Sequence, residues 1–154
     1  MALLALTGCG AVFSVETPHP VDFSALELDD TSNQFLVCPA RLCLRAEPHL
    51  ASPIFDANVN DLRLAWDSVV AAAPRTRREG VFAEGNQVVD IQRSAVFRFP
   101  DIITAQFIAV DDKRVTLAIF SRSVYGQSDF GVNKKRITRW IEELALELED
   151  RTSR

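Results

Sequence analysis

The chain has 154 residues, of which 47% are hydrophobic and 25% charged, with a formal net charge of -4. That is enough apolar mass for one domain with a core of its own. The acidic balance argues against a general nucleic-acid binder, which carries a basic face. No run approaches the roughly 18 apolar residues of a membrane-spanning helix.

The N-terminus reads Met1-Ala2-Leu3-Leu4-Ala5-Leu6-Thr7-Gly8-Cys9. Leu6-Thr7-Gly8-Cys9 fits a bacterial lipobox: an aliphatic residue, two small ones, then a cysteine whose thiol takes a diacylglyceryl group. A second acyl chain on the new amino terminus makes such anchoring stable. Residues 1–9 are therefore read as a truncated signal segment. No Lys or Arg precedes Cys9, whereas a secretory signal opens on a basic stretch. The start then lies upstream of Met1, or Cys9 has no such role. Residues 10–33 mix Gly, Pro, Ser, Thr and acidic residues and read as a tether. As a flexible coil it has an end-to-end distance of about 27 Å. Its apolar Val12, Phe13, Val15, Phe23, Leu26 and Leu28 also suit a segment packed along the domain.

The domain is expected over residues 34–150. Arg41 to Arg45 alternates and predicts a short strand. Cys38 and Cys43 suit a local disulfide in an exported chain, or two buried thiols otherwise. Neither they nor His19 and His49 have the spacing of a metal site. Asn58 or Asn60 caps a helix with Asp61 in its first turn. Leu62, Trp66, Val69, Val70 and Ala73 form its apolar face, and Pro74 ends it. Arg75 to Arg78 then complement the helix dipole, or form an anion patch.

Strands follow at residues 81–84 and 87–99, around a Gly85-Asn86 turn. Val89, Ile91, Arg93, Ala95, Phe97 and Phe99 share one face of the second, and Pro100-Asp101 breaks the run. Residues 102–110 and 115–122 form another pair, joined by Asp111 to Arg114. Such local connections predict an antiparallel meander. The last helix covers about 132–149, with Ile137, Trp140, Ile141, Leu144 and Leu148 on one face.

The segment Ser121 to Arg136 carries the best candidate for function. Lys134, Lys135 and Arg136 crowd a helix start, where cations oppose the dipole. Free backbone N–H groups there bind anions, and added cations deepen the site. The competing expectation is structural. Asp129 or Asn133 caps the helix, Asp129 pairs with Arg122 or Arg93, and Ser121, Ser123 and Ser128 satisfy loop backbone groups. No GxSxG elbow or nearby His supports a nucleophilic serine. Walker, dinucleotide and HExxH motifs are absent from the sequence.

Ser121-Arg122-Ser123, Gly126, Ser128-Asp129, Gly131-Val132-Asn133 and Arg136 together resemble the C-terminal signature of domain-of-unknown-function family 1499. Gln92-Arg93-Ser94 and Phe99-Pro100-Asp101 resemble its upstream element, and Asn33 through Cys38-Pro39 its N-terminal motif. The likeness covers roughly 33–148. It implies a bacterial protein of a family often exported or membrane-associated, and it supplies no catalytic residues.

The expectation is an α+β domain, with an antiparallel sheet of four or five strands packed on one side by two helices. Arg93, Asp101, Arg122, Asp129 and Asn133 gather at one end of the sheet, with Ser128, Lys134 and Arg136 as further ligand contacts. The function expected is that of a lipid-anchored, non-catalytic cell-envelope protein binding a polar or anionic ligand or a protein partner. No cofactor or metal is expected. The alternatives are an envelope hydrolase using Asp101 or Asp129 with an arginine, a polar network that is purely structural, and, for location, the cytoplasm.

Overall fold

The computed structural model describes residues 15–153; Cys9 and the lipobox lie outside them. Alternation along β7 (Val115–Ser123) organises the molecule. Val115, Leu117 and Ile119 point to one face, and Ala118 and Phe120 to the other. All five are buried. A strand apolar on both faces belongs in the middle of a sheet. β7 indeed pairs antiparallel with β1 (Gln34–Cys38) on one side and β6 (Pro100–Ala109) on the other. Beyond β6 lie β5 (Gln87–Arg93) and the edge strand β4 (Thr76–Phe82), both antiparallel. Two short strands complete the sheet. β2 (Leu50–Ala51) runs parallel to β1, and β3 (Ile54–Phe55) pairs with the far end of β7.

Both helices cover one face. α1 (Val59–Ala72) starts where the Asn58 side chain accepts the Asp61 backbone N–H at 2.9 Å. Its buried Leu62, Trp66 and Val69 meet Ile137, Trp140 and Leu144 of α2 (Val132–Thr152) over Val88, Ile103 and Phe107 of the sheet. Trp66 sits at the centre, edge to face with Trp140 at 5.5 Å and Phe107 at 6.2 Å. Its indole N–H donates to Asp90 Oδ2 at 2.9 Å. The Trp140 Nε1 is buried without an acceptor. No helix among the described residues is long and apolar enough to cross a membrane.

The other face is covered by chain that forms no helix or strand. Within residues 15–33, Phe23 is buried against Leu36, Cys38, Ala118 and Phe120, flanked by Val21, Leu26 and Leu28. Gln87 fixes this covering by accepting the Val21 N–H at 2.8 Å and donating to the Val21 carbonyl at 2.9 Å. Cys38 and Cys43 form a disulfide at the edge of this second cluster.

Several expectations are corrected. The sheet has seven strands rather than four or five. Residues 41–45 form turns and bends, not a strand. Thr76 to Arg78 open an edge strand instead of trailing α1, and charged side chains are common on such edges. β5 stops at Arg93, because residues 94–99 fold into a loop closed by Ser94 N–H to the Phe99 carbonyl at 2.9 Å. Pro100-Asp101 begins β6 rather than breaking a strand. Proline is tolerated as a first strand residue, where its missing N–H costs no ladder bond.

Asp90 is a buried carboxylate held by Trp66 and by Arg78 Nε at 2.6 Å. Burial pushes its pKa above the usual carboxylate range, against the opposing pull of Arg78 and Trp66. The folded state therefore binds this proton more tightly than the unfolded chain does. Its contribution to stability is full below the ordinary aspartate range of about 4 and is lost as pH rises through the folded value. Wild type minus Asp90→Asn unfolding free energy, measured by urea titration, should accordingly fall as pH rises from the acid side. A difference that grew with pH would overturn this.

Candidate functional site

Where β5, β6 and β7 meet the start of α2, strand parity sends Gln92, Asp101, Ser121 and Ser123 toward the helices. Asn133 and Arg136, three residues apart on α2, share the face of Ile137 and Trp140. Arg136 is almost completely buried, and its guanidinium is the hub. Nε donates to Gln92 Oε1 at 2.6 Å. Nη1 donates to Asn133 Oδ1 at 2.8 Å and Ser121 Oγ at 3.2 Å. Nη2 pairs with Asp101 Oδ2 at 2.5 Å. Asn133 Oδ1 also accepts from Ser121 Oγ at 2.5 Å, while its Nδ2 donates to the Asn33 carbonyl at 2.9 Å and Ser123 Oγ at 3.1 Å. Each buried polar group thus has partners, which is the condition for keeping a guanidinium and a carboxylate out of water.

Asp129 occupies the helix start. Its carboxylate accepts the Gly131 N–H at 2.9 Å and the Asn133 N–H at 2.6 Å. Gly131 adopts φ 77°, a left-handed turn that suits glycine. The chain's own anion therefore takes the Gly131 and Asn133 N–H groups at the helix start, where a ligand was expected. Ser128 Oγ accepts the Phe130 N–H at 3.4 Å. The loop is pinned from the N-terminal side: Ser32 N–H donates to the Gln127 carbonyl at 3.0 Å, and the Asn33 side-chain amide to the Gly126 carbonyl. Lys134 and Lys135 remain exposed and outside the network.

Arg122 and Arg93 lie on the opposite face. Arg93 Nη1 donates to the Arg98 carbonyl at 3.1 Å, bracing the 94–99 loop. Arg122 enters none of the ion pairs among the described residues, so the expected pair with Asp129 does not form. The reason is parity: Ser121 and Ser123 face α2, and the residue between them cannot. The structure therefore brings together Asp101, Asn133 and Arg136, sets Asp129 beside them as a cap, and separates Arg122.

Arg122 lies half-buried in a groove. Val89, Ile91, Ile102, Thr104 and Phe120 form its floor, and residues 15–26 its wall. The cavity is about 340 Å³. A second cavity, about 400 Å³, shares Arg122, Ile102, Val15 and Glu16, and runs on to Val124 and Tyr125. The first falls within the range of roughly 300–1,000 Å³ that small-molecule sites occupy. Asp29 senses Arg122, but its carboxyl is held low first by hydrogen bonds from Thr31 and only then by the guanidinium. Among the described residues, no group of three or more His, Cys, Asp or Glu is placed to hold a metal ion.

The family described as protein of unknown function (DUF1499) matches residues 18–144. The chain belongs to this family. No curated protein matches it. The DUF1499 match begins at Pro18, inside the wall of the groove, and takes in both faces of the sheet. Sequence reasoning singled out Asp101, Asn133 and Arg136 of the network. Of its two readings of 10–33, the segment packed along the domain is the one that Phe23, Leu26 and Leu28 follow.

Removing one member of a buried ion pair leaves the other uncompensated, at a cost of about 3–5 kcal/mol. Arg136→Ala should lower the unfolding free energy by that order, whereas Lys134→Ala should stay within about 0.5 kcal/mol. Equal effects in chemical denaturation would show that the network does not hold α2.

Proposed function

We propose that this DUF1499 protein is an exported, lipid-anchored cell-envelope domain that binds a small amphiphilic anion in the groove beneath residues 15–26 and performs no catalysis on it. The observation that carries the reading is Arg122, a guanidinium without an ion-pair partner among the described residues, set at the junction of two cavities over an apolar floor. An apolar cleft with one or a few placed polar groups is the usual form of a small-molecule site. A carboxylate or phosphate head on Arg122, with an apolar chain along Ile91, Ile102 and Phe120, fits that chemistry. Arginine suits such heads because its fork pairs with two oxygens at once.

Export is supported by the Cys38–Cys43 disulfide, since such bonds persist in oxidising compartments and are rare in the cytosol. It agrees with the lipobox-like Leu6-Thr7-Gly8-Cys9. The hydrolase alternative loses support because both of its carboxylates are engaged, Asp101 by Arg136 and Asp129 by the backbone of α2.

The test uses dodecanoate and dodecanol as probes in isothermal titration. Dodecanoate should bind more tightly than dodecanol, and Arg122→Gln should weaken it about tenfold or more with an unchanged thermal midpoint. Equal affinity of wild type and Arg122→Gln for dodecanoate would sink the groove reading. Fractionation of the native host, with a Cys9→Ala form alongside, tests the anchor. The wild-type chain should sediment with membranes and the variant should be released.

A further inference from the structure

We propose that the end of the sheet carrying Phe97 and Phe130 is a docking surface for an anionic lipid bilayer. Three loops or element ends converge there: the 94–99 loop, the 124–131 loop and the first turn of α2. Val124 N–H donates to the Pro100 carbonyl at 3.1 Å, which holds the first two together. The apolar side chains they display are not part of the core. Phe97 is 67% exposed, Val96 78% and Phe130 91%. Phe97 stacks on Phe99 at 5.5 Å, and Phe99 lies 5.9 Å from Tyr125, so these three rings form one cluster, with Phe130 on the loop that Tyr125 opens.

The turn from Asp129 to Val132 sets the backbone of Phe130, but its side chain packs on nothing in the core. Its backbone stands at φ 54°, a left-handed conformation that disfavours a bulky side chain, and that side chain buries almost nothing. Arg98, beside Phe97, has φ 60° and is exposed as well.

Exposed cations stand at this end beside the helix start, with Glu16 on the groove side of Tyr125. Over a net charge of -4, the exposed Arg98, Lys134 and Lys135 are cations. Lys134 and Lys135 work against the α2 dipole and enter no ion pair among the described residues. The nearby carboxylates of Asp129 and Asp101 are taken by the α2 backbone and by Arg136. Aromatic rings beside lysine and arginine are the chemistry of the bilayer interface. Rings enter the headgroup layer there, and cations meet anionic lipid.

The position of the chain's first residues adds an independent argument. Val15, the first described residue, lines the same cavity as Tyr125. The six-residue step from Cys9 to Val15 reaches at most about 20 Å. The surface is argued without the lipid, and it stands or falls apart from the groove.

The test uses the full chain as Cys9→Ser, which cannot be lipidated, and co-sedimentation with phosphatidylcholine vesicles with or without phosphatidylglycerol. The chain should partition onto the anionic vesicles only, and added salt should release it. Phe97→Ser with Phe130→Ser should weaken binding about tenfold or more, and Lys134→Glu with Lys135→Glu should weaken it and flatten the salt dependence. Thermal midpoints should stay unchanged in both, and Arg122→Gln should bind vesicles like wild type. Absence of partitioning onto anionic vesicles, or partitioning unaffected by both double substitutions, would overturn the proposal. So would self-association in solution that Phe130→Ser abolishes without any vesicle binding, which would assign the face to a second copy. If a variant unfolds, the salt titration of the Cys9→Ser chain decides alone.

Discussion

The guanidinium of Arg136 sits where α2 crosses the ends of three strands, shielded from water and carrying a full charge. Such a group is tolerable only if its neighbours are arranged around it, and here they are drawn from β5, β6, β7 and α2 itself. Asp101 supplies the opposite charge, and Gln92, Ser121 and Asn133 take the remaining donors. Through Asn133 the arrangement extends to the Asn33 carbonyl, and hence to the chain just before β1. One charge thus sets the register of α2 on the sheet and ties the N-terminal part of the domain to its last helix. A hydrophobic residue in its place would pack without specifying position.

This constraint also explains the division of labour between the two faces. The helix-side face is closed, its polar groups paired except for the Trp140 N–H, and its apolar groups packed around Trp66. The other face is covered by residues 15–33 and by the turns after β1, chain without helix or strand, and it is there that space and an arginine without an ion-pair partner among the described residues coincide. Arg122 and Arg136 lie in the same short segment and carry the same charge. Yet one is locked in a buried network, and the other lies half-buried in a groove and enters no ion pair among the described residues. Their difference is the direction in which successive residues of β7 point, and the single turn of loop that separates strand from helix.

Both helices were legible because their apolar residues recur at helical spacing and because Asn58 and Pro74 mark the limits of α1. The central strands were legible from alternation. Alternation also misled: Phe97 and Phe99 continue the rhythm of Val89 and Ile91, but they belong to a loop that turns outward. β2 and β3, two residues each, are too short to leave a pattern, and β4 is an edge strand whose charges resemble a helix tail. The members of the network were visible as residue types, with Arg136, Asn133, Asp101 and Asp129 all marked. What their order along the chain did not convey was burial. A cation at a helix start looks like an invitation to an anion until the carboxylate of Asp129 is seen to sit there already, on the Gly131 and Asn133 N–H groups.

The wall of the groove has a mechanical side. Residues 15–26 are the first chain that any pull transmitted through the N-terminus would load. They are held to the sheet by the seated ring of Phe23 and the paired bonds between Gln87 and Val21. Every other main contact of the domain, including the β6–β7 ladder and the Arg136 junction, lies downstream of that fastening. Tension from that side would load the wall of the groove before the β6–β7 ladder or the Arg136 junction, so the shape of the cavity is tied to force on the chain.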